Sequence, residues 1–251
     1  MEPFVPLKTS ADVAGIRRAC RAAASILHAL KAAIAPGVTT RRLDDASAAL
    51  MRSWGALPAV PAGFPGNICV SVNEVAAHGV PDDRRLRNGD LVTIDVSLVL
   101  EGWCGDAAAT YPVGEPDGDC LRVWAAARSA LAAGVAAVRA GGHLGDIGAA
   151  ILSEAGRHDC VVISELVGHG IGRRLHEEPQ VFHTGRAGEG PPIVPGMVLT
   201  VEPALALGAG RIVKREDGWS LVTMDGAPAA QFEHTVAVFR ERTEVLTRLE
   251  S

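Results

Sequence analysis

The strongest constraint on this chain is a plan that it carries out twice. The phrase Asn88-Gly89-Asp90-Leu91-Val92-Thr93-Ile94-Asp95 is answered by Pro195-Gly196-Met197-Val198-Leu199-Thr200-Val201-Glu202, a glycine turn and a β-branched run ending on an acid. The helix break at Pro36-Gly37 lies 52 residues before Gly89, and Gly142 lies 54 before Gly196. Upstream of each phrase the pattern is similar. Ile16, Cys20, Ala23, Leu27, Leu30 and Ile34 recur in steps of three and four, which predicts a helix over Ser10–Ile34. Thr39-Thr40 can cap a second helix from Arg41 to Trp54. Alternation at Ile68–Val72, a loop through His78-Gly79-Val80-Pro81, and strands over Leu91–Leu100 and Ala107–Val113 complete the first copy. The second copy has helices over Cys120–Arg139 and Leu144–Ala155, a strand at Val161–Ser164, a Gly/His loop and a last set of strands. Two copies are too few for a solenoid. They suit one domain, residues 11–251, made of two α+β halves (about 11–115 and 118–245) behind a short arm, residues 1–10.

The duplication places acids in matching positions: Asp95 and Glu202 first, then Asp106 and Glu233. Several of them sit in or beside apolar β-branched runs, where an unpaired charge is costly and a bound cation would relieve it. His169, within Gly168-His169-Gly170-Ile171-Gly172, adds one imidazole. Four carboxylates and one imidazole suit two adjacent divalent ions, with carboxylates bridging them. The glycines beside His169 are expected to let the backbone turn sharply and approach those ions. His28, His143, His158 and His183 lack such a context and are expected at the surface.

Composition narrows the function. A net charge of −5 gives no basic face for nucleic acid. Cys20, Cys69, Cys104, Cys120 and Cys160 are odd in number and lack Cys-x-x-Cys spacing, which fits a reducing cytoplasm. The N-terminus has no signal-peptide pattern, and no uninterrupted apolar run is long enough to predict a membrane span.

Three further phrases carry a family resemblance: Asn73-Glu74-Val75-Ala76-Ala77-His78-Gly79-Val80-Pro81, the Gly/His segment running on to His176-Glu177-Glu178-Pro179, and Gln231-Phe232-Glu233-His234-Thr235. In this order they resemble the methionine aminopeptidases, small members of the pita-bread metallopeptidases, over Ala11 to about Phe239. The resemblance implies an α+β, pseudo-two-fold pita-bread fold, a curved antiparallel sheet with helices on its outer face. It implies two divalent ions (Co, Mn, Fe or Zn), Asp106 and Glu233 bridging both, Asp95 on one, His169 and Glu202 on the other. It also implies that Glu202 is the general base toward an activated water, and that His78 and His176 hold the substrate peptide group. The implied substrates are N-terminal methionyl peptides and nascent chains with a small second residue, met near the ribosome; a monomer is the default expectation, and the cysteine usage places it in the cytoplasm.

The methionine pocket departs from the family pattern. Phe64, Cys69 and Trp219 match pocket positions, but Leu175 replaces the usual Phe before the second histidine, and Pro61 stands where Tyr is expected. Ala107-Ala108-Ala109-Thr110 replaces the usual Thr-Ser-x-Thr. Two other readings stay open. One is a proline-directed aminopeptidase or dipeptidase of the same fold, disfavoured by the short segment before the first helix. The other is a non-catalytic binding protein of this fold, disfavoured by the complete ligand set and acidic balance.

Overall fold

A computed structural model describes residues 4–249. The arm's first three residues and the domain's last two, Glu250 and Ser251, lie outside the described residues. Helices α1 (Ser10–Lys31) and α2 (Thr40–Trp54) precede strands β1 (Leu57–Pro58), β2 (Cys69–Val72), β3 (Val75–Ala77), β4 (Leu91–Leu100) and β5 (Trp103–Pro112). Helices α3 (Gly118–Ala137) and α4 (Leu144–Arg157) precede β6 (Val161–Val162), β7 (Gly168–Gly170), β8 (Glu177–Val181), β9 (Val198–Val201) and β10 (Ala204–Ala206). The chain closes with β11 (Ile212–Lys214), β12 (Leu221–Thr223), β13 (Ala229–Gln231), β14 (His234–Val238) and β15 (Thr243–Val245). All pairings between these strands are antiparallel.

Local chemistry sets the boundaries. Thr9 and Asp12 form a reciprocal capping box that starts α1. Thr39 caps α2, and Gly55 ends it in the left-handed region at φ 67°. The second strand of the first hairpin begins at Trp103, four residues before the expected Ala107. Glu101 and Gly102, both at positive φ (52° and 75°), make a two-residue turn that allows pairing to start at once, Leu100 opposite Trp103. The expected strand at Val161–Ser164 shortens to its first two residues, and the Gly/His loop contains a strand, β7.

Two apolar clusters hold the helices on the sheets. Ile16, Cys20, Ala23, Leu27 and Leu30 of α1 pack with Ile94, Val96 and Leu98 of β4 and Cys104 of β5. Val123 and Ala127 of α3 and Ile147 and Ile151 of α4 pack with Leu199 and Val201 of β9 and Val236 and Val238 of β14. Helix α1 can lie close on β5 because position 105 is glycine: a Cβ there would come within 2.3 Å of the Ala19 backbone. Among the described helices only α3 is long and apolar enough to cross a membrane. Its buried face, Val123, Ala126, Ala127, Ala130, Leu131 and Gly134, instead belongs to the core.

Candidate metal centre and active site

The β4–β5 register brings the first two acids together. Asp95 stands opposite Ala108 and Asp106 opposite Ser97, so the two acids are diagonal neighbours on one face. Ser97, two residues beyond Asp95, donates to Asp106 Oδ1 at 2.8 Å and to Asp95 Oδ1 at 3.4 Å. The other pair comes from two bent strands. Register runs from His234 opposite Val201 to Gln231 opposite Ala204. Glu202 and Glu233 occupy the bend between those pairs, outside regular strand. Ligand oxygens of Asp95, Asp106 and Glu233 all lie within 4.8 Å of one another. His169 Nε2 is 3.7 Å from Asp106 Oδ2 and 3.5 Å from Glu202 Oε1. Asp106 is therefore the member common to both groups.

The glycines around His169 act differently from the expectation. Gly168 and Gly170 are not at positive φ, and β7 runs extended. Their lack of Cβ serves packing: a Cβ would lie 2.4 Å from the Thr200 carbonyl oxygen at Gly168 and 2.2 Å from that of Glu178 at Gly170. The backbone that carries His169 is thus pressed between β8 and β9.

Electrostatics favour cations at this place. Burial pushes Asp95 well above the ordinary carboxylate range, with help from the Asp106 charge. Burial raises Asp106 to about 6. Burial and then the Asp106 charge raise both Glu202 and Glu233. Glu233 Oε1 is buried with no hydrogen-bond partner among the described residues. Burial pulls His169 down, keeping it neutral. Its Nδ1–H donates to the Gly170 carbonyl at 3.0 Å, which leaves the Nε2 lone pair facing two carboxylates. A lone pair and carboxylates repel one another unless a cation lies between them. Donor atoms about 3–3.7 Å apart are also what ligand bonds of ~2.1 Å to one ion produce. The residues present therefore fit divalent ions.

A cavity of about 510 Å³ opens on this cluster. Its walls include His78, Asp95, His169, His176, Glu202 and Gln231. His78 sits at φ 54°, a strained conformation for a non-glycine residue, and its ring is exposed. His176 is exposed too, and its ring meets His169 edge-on at 4.4 Å. Phe64 and Trp219 stand outside that lining and stack on each other at 5.4 Å, nearly perpendicular. Cys69 lies opposite Asp95 in the β2–β4 ladder, and Leu175 packs against the first core cluster.

Several supporting residues went unread in the sequence. Thr200 donates to Glu202 Oε1 at 2.7 Å, and Gln231 Nε2 donates to Glu202 Oε2 at 3.3 Å. Thr200 and Gln231 each lie two residues before an acid of the cluster, as Ser97 lies two after Asp95, so period-2 alternation is the available signal. His183 corrects a sequence expectation. It is 1% exposed, whereas a surface position was expected. Burial holds it neutral, down to about 4; its Nδ1–H donates to the Leu166 carbonyl, and Nε2 accepts the Glu202 backbone N–H at 3.2 Å. Alternation through Glu177, Pro179 and Val181 points it inward. Of the other three, His28 is exposed while His143 and His158 are half-buried. His234 turns from the acids to bond Thr247 at 2.8 Å, as strand alternation predicts.

A buried cluster of acids with one neutral imidazole, held between paired helix–sheet units, defines a class. The chain belongs to metallopeptidase family M24, whose model matches residues 14–240. It is 40% identical over 246 residues to a methionine aminopeptidase of Treponema pallidum, covering 97% of this chain and 96% of that protein. The crystal structure of methionine aminopeptidase from Rickettsia prowazekii superposes with a TM-score of 0.95 at 38% identity, covering 98% of this chain and 100% of that one. The fold is thus the α+β pita-bread fold that the resemblance implied. Prolidase from Pyrococcus furiosus shares the fold at a TM-score of 0.78 and 24% identity, with 98% of this chain and 66% of that chain covered.

Proposed function

We propose that the chain removes N-terminal methionine from peptides and nascent chains whose second residue is small. The observation that carries this reading is one cluster of five donor residues, three of which (Asp95, His169 and Glu202) line an open cavity, in a chain similar over nearly its full length to methionine aminopeptidases. Asp95, Asp106, His169, Glu202 and Glu233 would hold two divalent ions of the Mn, Fe, Co or Zn type. Such ions acidify water and polarise a carbonyl when bound.

The protein's own groups do the rest. Glu202 takes a water proton and passes it to the leaving amine. Thr200, Gln231 and the His183-bonded backbone hold that carboxylate in place. His78 and His176, facing one cavity, donate to the substrate's peptide group and stabilise the oxyanion. The methionine side chain would be received by the residues that the resemblance names, Phe64, Cys69, Leu175 and Trp219; Cys69 lies opposite Asp95 and Phe64 meets Trp219 edge-on, and dispersion tolerates Leu175 in place of an aromatic ring. The five free cysteines accord with a reducing compartment, where nascent chains are met.

Release of Met from Met-Ala-Ser, measured with Mn, Fe, Co or Zn, tests the reading. Activity on Met-Ala-Ser with none on Xaa-Pro peptides is expected. The reverse preference would assign the chain to proline-directed hydrolysis, and failure on both would end the enzymatic reading.

A further inference from the structure

The chain has three lysines, and two of them, Lys31 and Lys214, are exposed. The third, Lys8, lies in the arm before α1 with its side chain only 8% exposed. Its ammonium pairs with Glu177, 169 residues away in sequence and 5% exposed at its side chain. The arm is fixed at the same place by the Lys8 N–H, which donates to the Gly196 carbonyl at 2.7 Å.

Glu177 opens β8 and directly follows His176. Its other oxygen accepts the Arg174 N–H at 3.1 Å. Burial pushes this carboxyl up, but the Lys8 and Arg174 hydrogen bonds outweigh burial and leave it below the ordinary range. The connection from β7 to β8 is gripped at further points. Cys104 N–H donates to the Gly172 carbonyl at 2.8 Å, and the Arg173 guanidinium lies 3.6 Å over the Trp103 ring. The pair lies directly against this backbone: a Cβ at Gly172 would come within 2.7 Å of Lys8 Cε and 2.8 Å of Glu177 Oε1. His176 is the exception within this fixed segment. Its ring is exposed and makes no hydrogen bond among the described residues; only its edge-on contact with His169 and its backbone hold it.

We infer that Lys8 is a positioning residue for His176, acting through Glu177. This rests on the proposed reading, in which His176 touches the substrate. Without the ammonium, Glu177 would be a buried charge with a lost partner, a strongly unfavourable state. The carboxylate would relax by turning toward water, and the adjoining His176 backbone would move with it. A displacement of about 1 Å in a positioned group is enough for a loss near 100-fold. The arm thereby sets geometry at the cavity although Lys8 lines no part of it.

A double-mutant cycle on the metal-loaded full chain tests the inference, using Met-Ala-Ser hydrolysis and a thermal melt for each variant. Lys8→Met is expected to lower kcat by 10- to 100-fold with little change in KM, and Lys8→Arg to restore most of it. In a His176→Ala background Lys8→Met should change kcat less than two-fold, while in a His78→Ala background it should keep its full effect. An equal factor in the native and His176→Ala backgrounds, or unchanged kcat in folded Lys8→Met, would overturn it. If Lys8→Met does not fold, Glu177→Gln goes through the same cycle with the same two outcomes. An inactive native protein would instead defeat the proposed function, so the two failures are told apart.

Discussion

The two places that supply the acids are built by opposite means. In the first, β4 and β5 are uninterrupted ten-residue strands joined by the two-residue turn Glu101-Gly102. Asp95 and Asp106 sit inside that ladder, with every neighbour in register. In the second, the equivalent path is broken into β9 with β10 and β13 with β14, and the acids occupy the break. Pro203, which lacks an N–H, directly follows Glu202 and cannot continue the ladder. Residues 207–228 separate β10 from β13 and form the β11–β12 hairpin, which crosses to pair with β3 of the first part. A straight hairpin fixes carboxylates rigidly. A bent pair frees Glu202 from the ladder, giving it side-chain partners in Thr200 and Gln231 and an open cavity in front. On the proposed reading, the difference separates a part that would hold ions from a part that would also move a proton.

The largest expected effect falls on the bent part. Glu202→Gln should lower turnover on Met-Ala-Ser by about 10³-fold or more at saturating metal, because on the proposed reading it removes both a ligand charge and the base. A near-normal rate would show that the bend has no proton-transfer role. Paired glycine variants sharpen the contrast further. Gly168→Ala presses on the Thr200 carbonyl and should lower kcat by about 100-fold by displacing His169. Gly105→Ala presses on the Ala19 backbone and should lower unfolding free energy by about 1–3 kcal/mol while the folded fraction stays active. Denaturant titration with kinetics on the same samples separates the two, and swapped outcomes would refute the division of roles.

The same acids set a pH dependence. Folded, ion-free protein keeps the Asp106 proton up to about pH 6, above the ordinary carboxylate value. It therefore binds more protons than the unfolded chain there, so this stability is fully present below about pH 4 and is lost as pH rises through 6. Buried His183, held down to about 4, acts in the opposite direction over the same range, so the Asp106 part is read by difference: melts of chelated protein should fall more with rising pH across that window than those of chelated Asp106→Asn. Identical pH profiles for the two would contradict the crowding of charges. The smallest effect belongs to the crossing hairpin. Trp219→Ala, which removes the edge-on partner of Phe64, should raise KM for Met-Ala-Ser about 3- to 10-fold with kcat little changed.

Much of this arrangement was legible because it obeys short periodicities. The steps of three and four in α1, and the phrases ending in Asp95 and Glu202, placed the helices and the acid-bearing strands. The strand start at Trp103 was missed because Glu101 adopts positive φ, which its residue type does not announce. His183 was misjudged because a single histidine shows its burial only once β8 is known to run into it. Lys8 and Glu177 meet across 169 residues, and no local pattern reports such a contact. Gly168 and Gly170 read as turn formers, yet they are needed for backbone proximity, which depends on the neighbouring strands.

The proposal that the straight and bent parts close on one pair of ions is tested most directly by calorimetric titration of chelated protein with Co or Mn. Two ions per chain are expected for the native protein, and fewer for Glu233→Ala, whose carboxylate carries the unpartnered buried oxygen. Binding of no ions by the native chain, or two ions bound with undiminished affinity by Glu233→Ala, would contradict it.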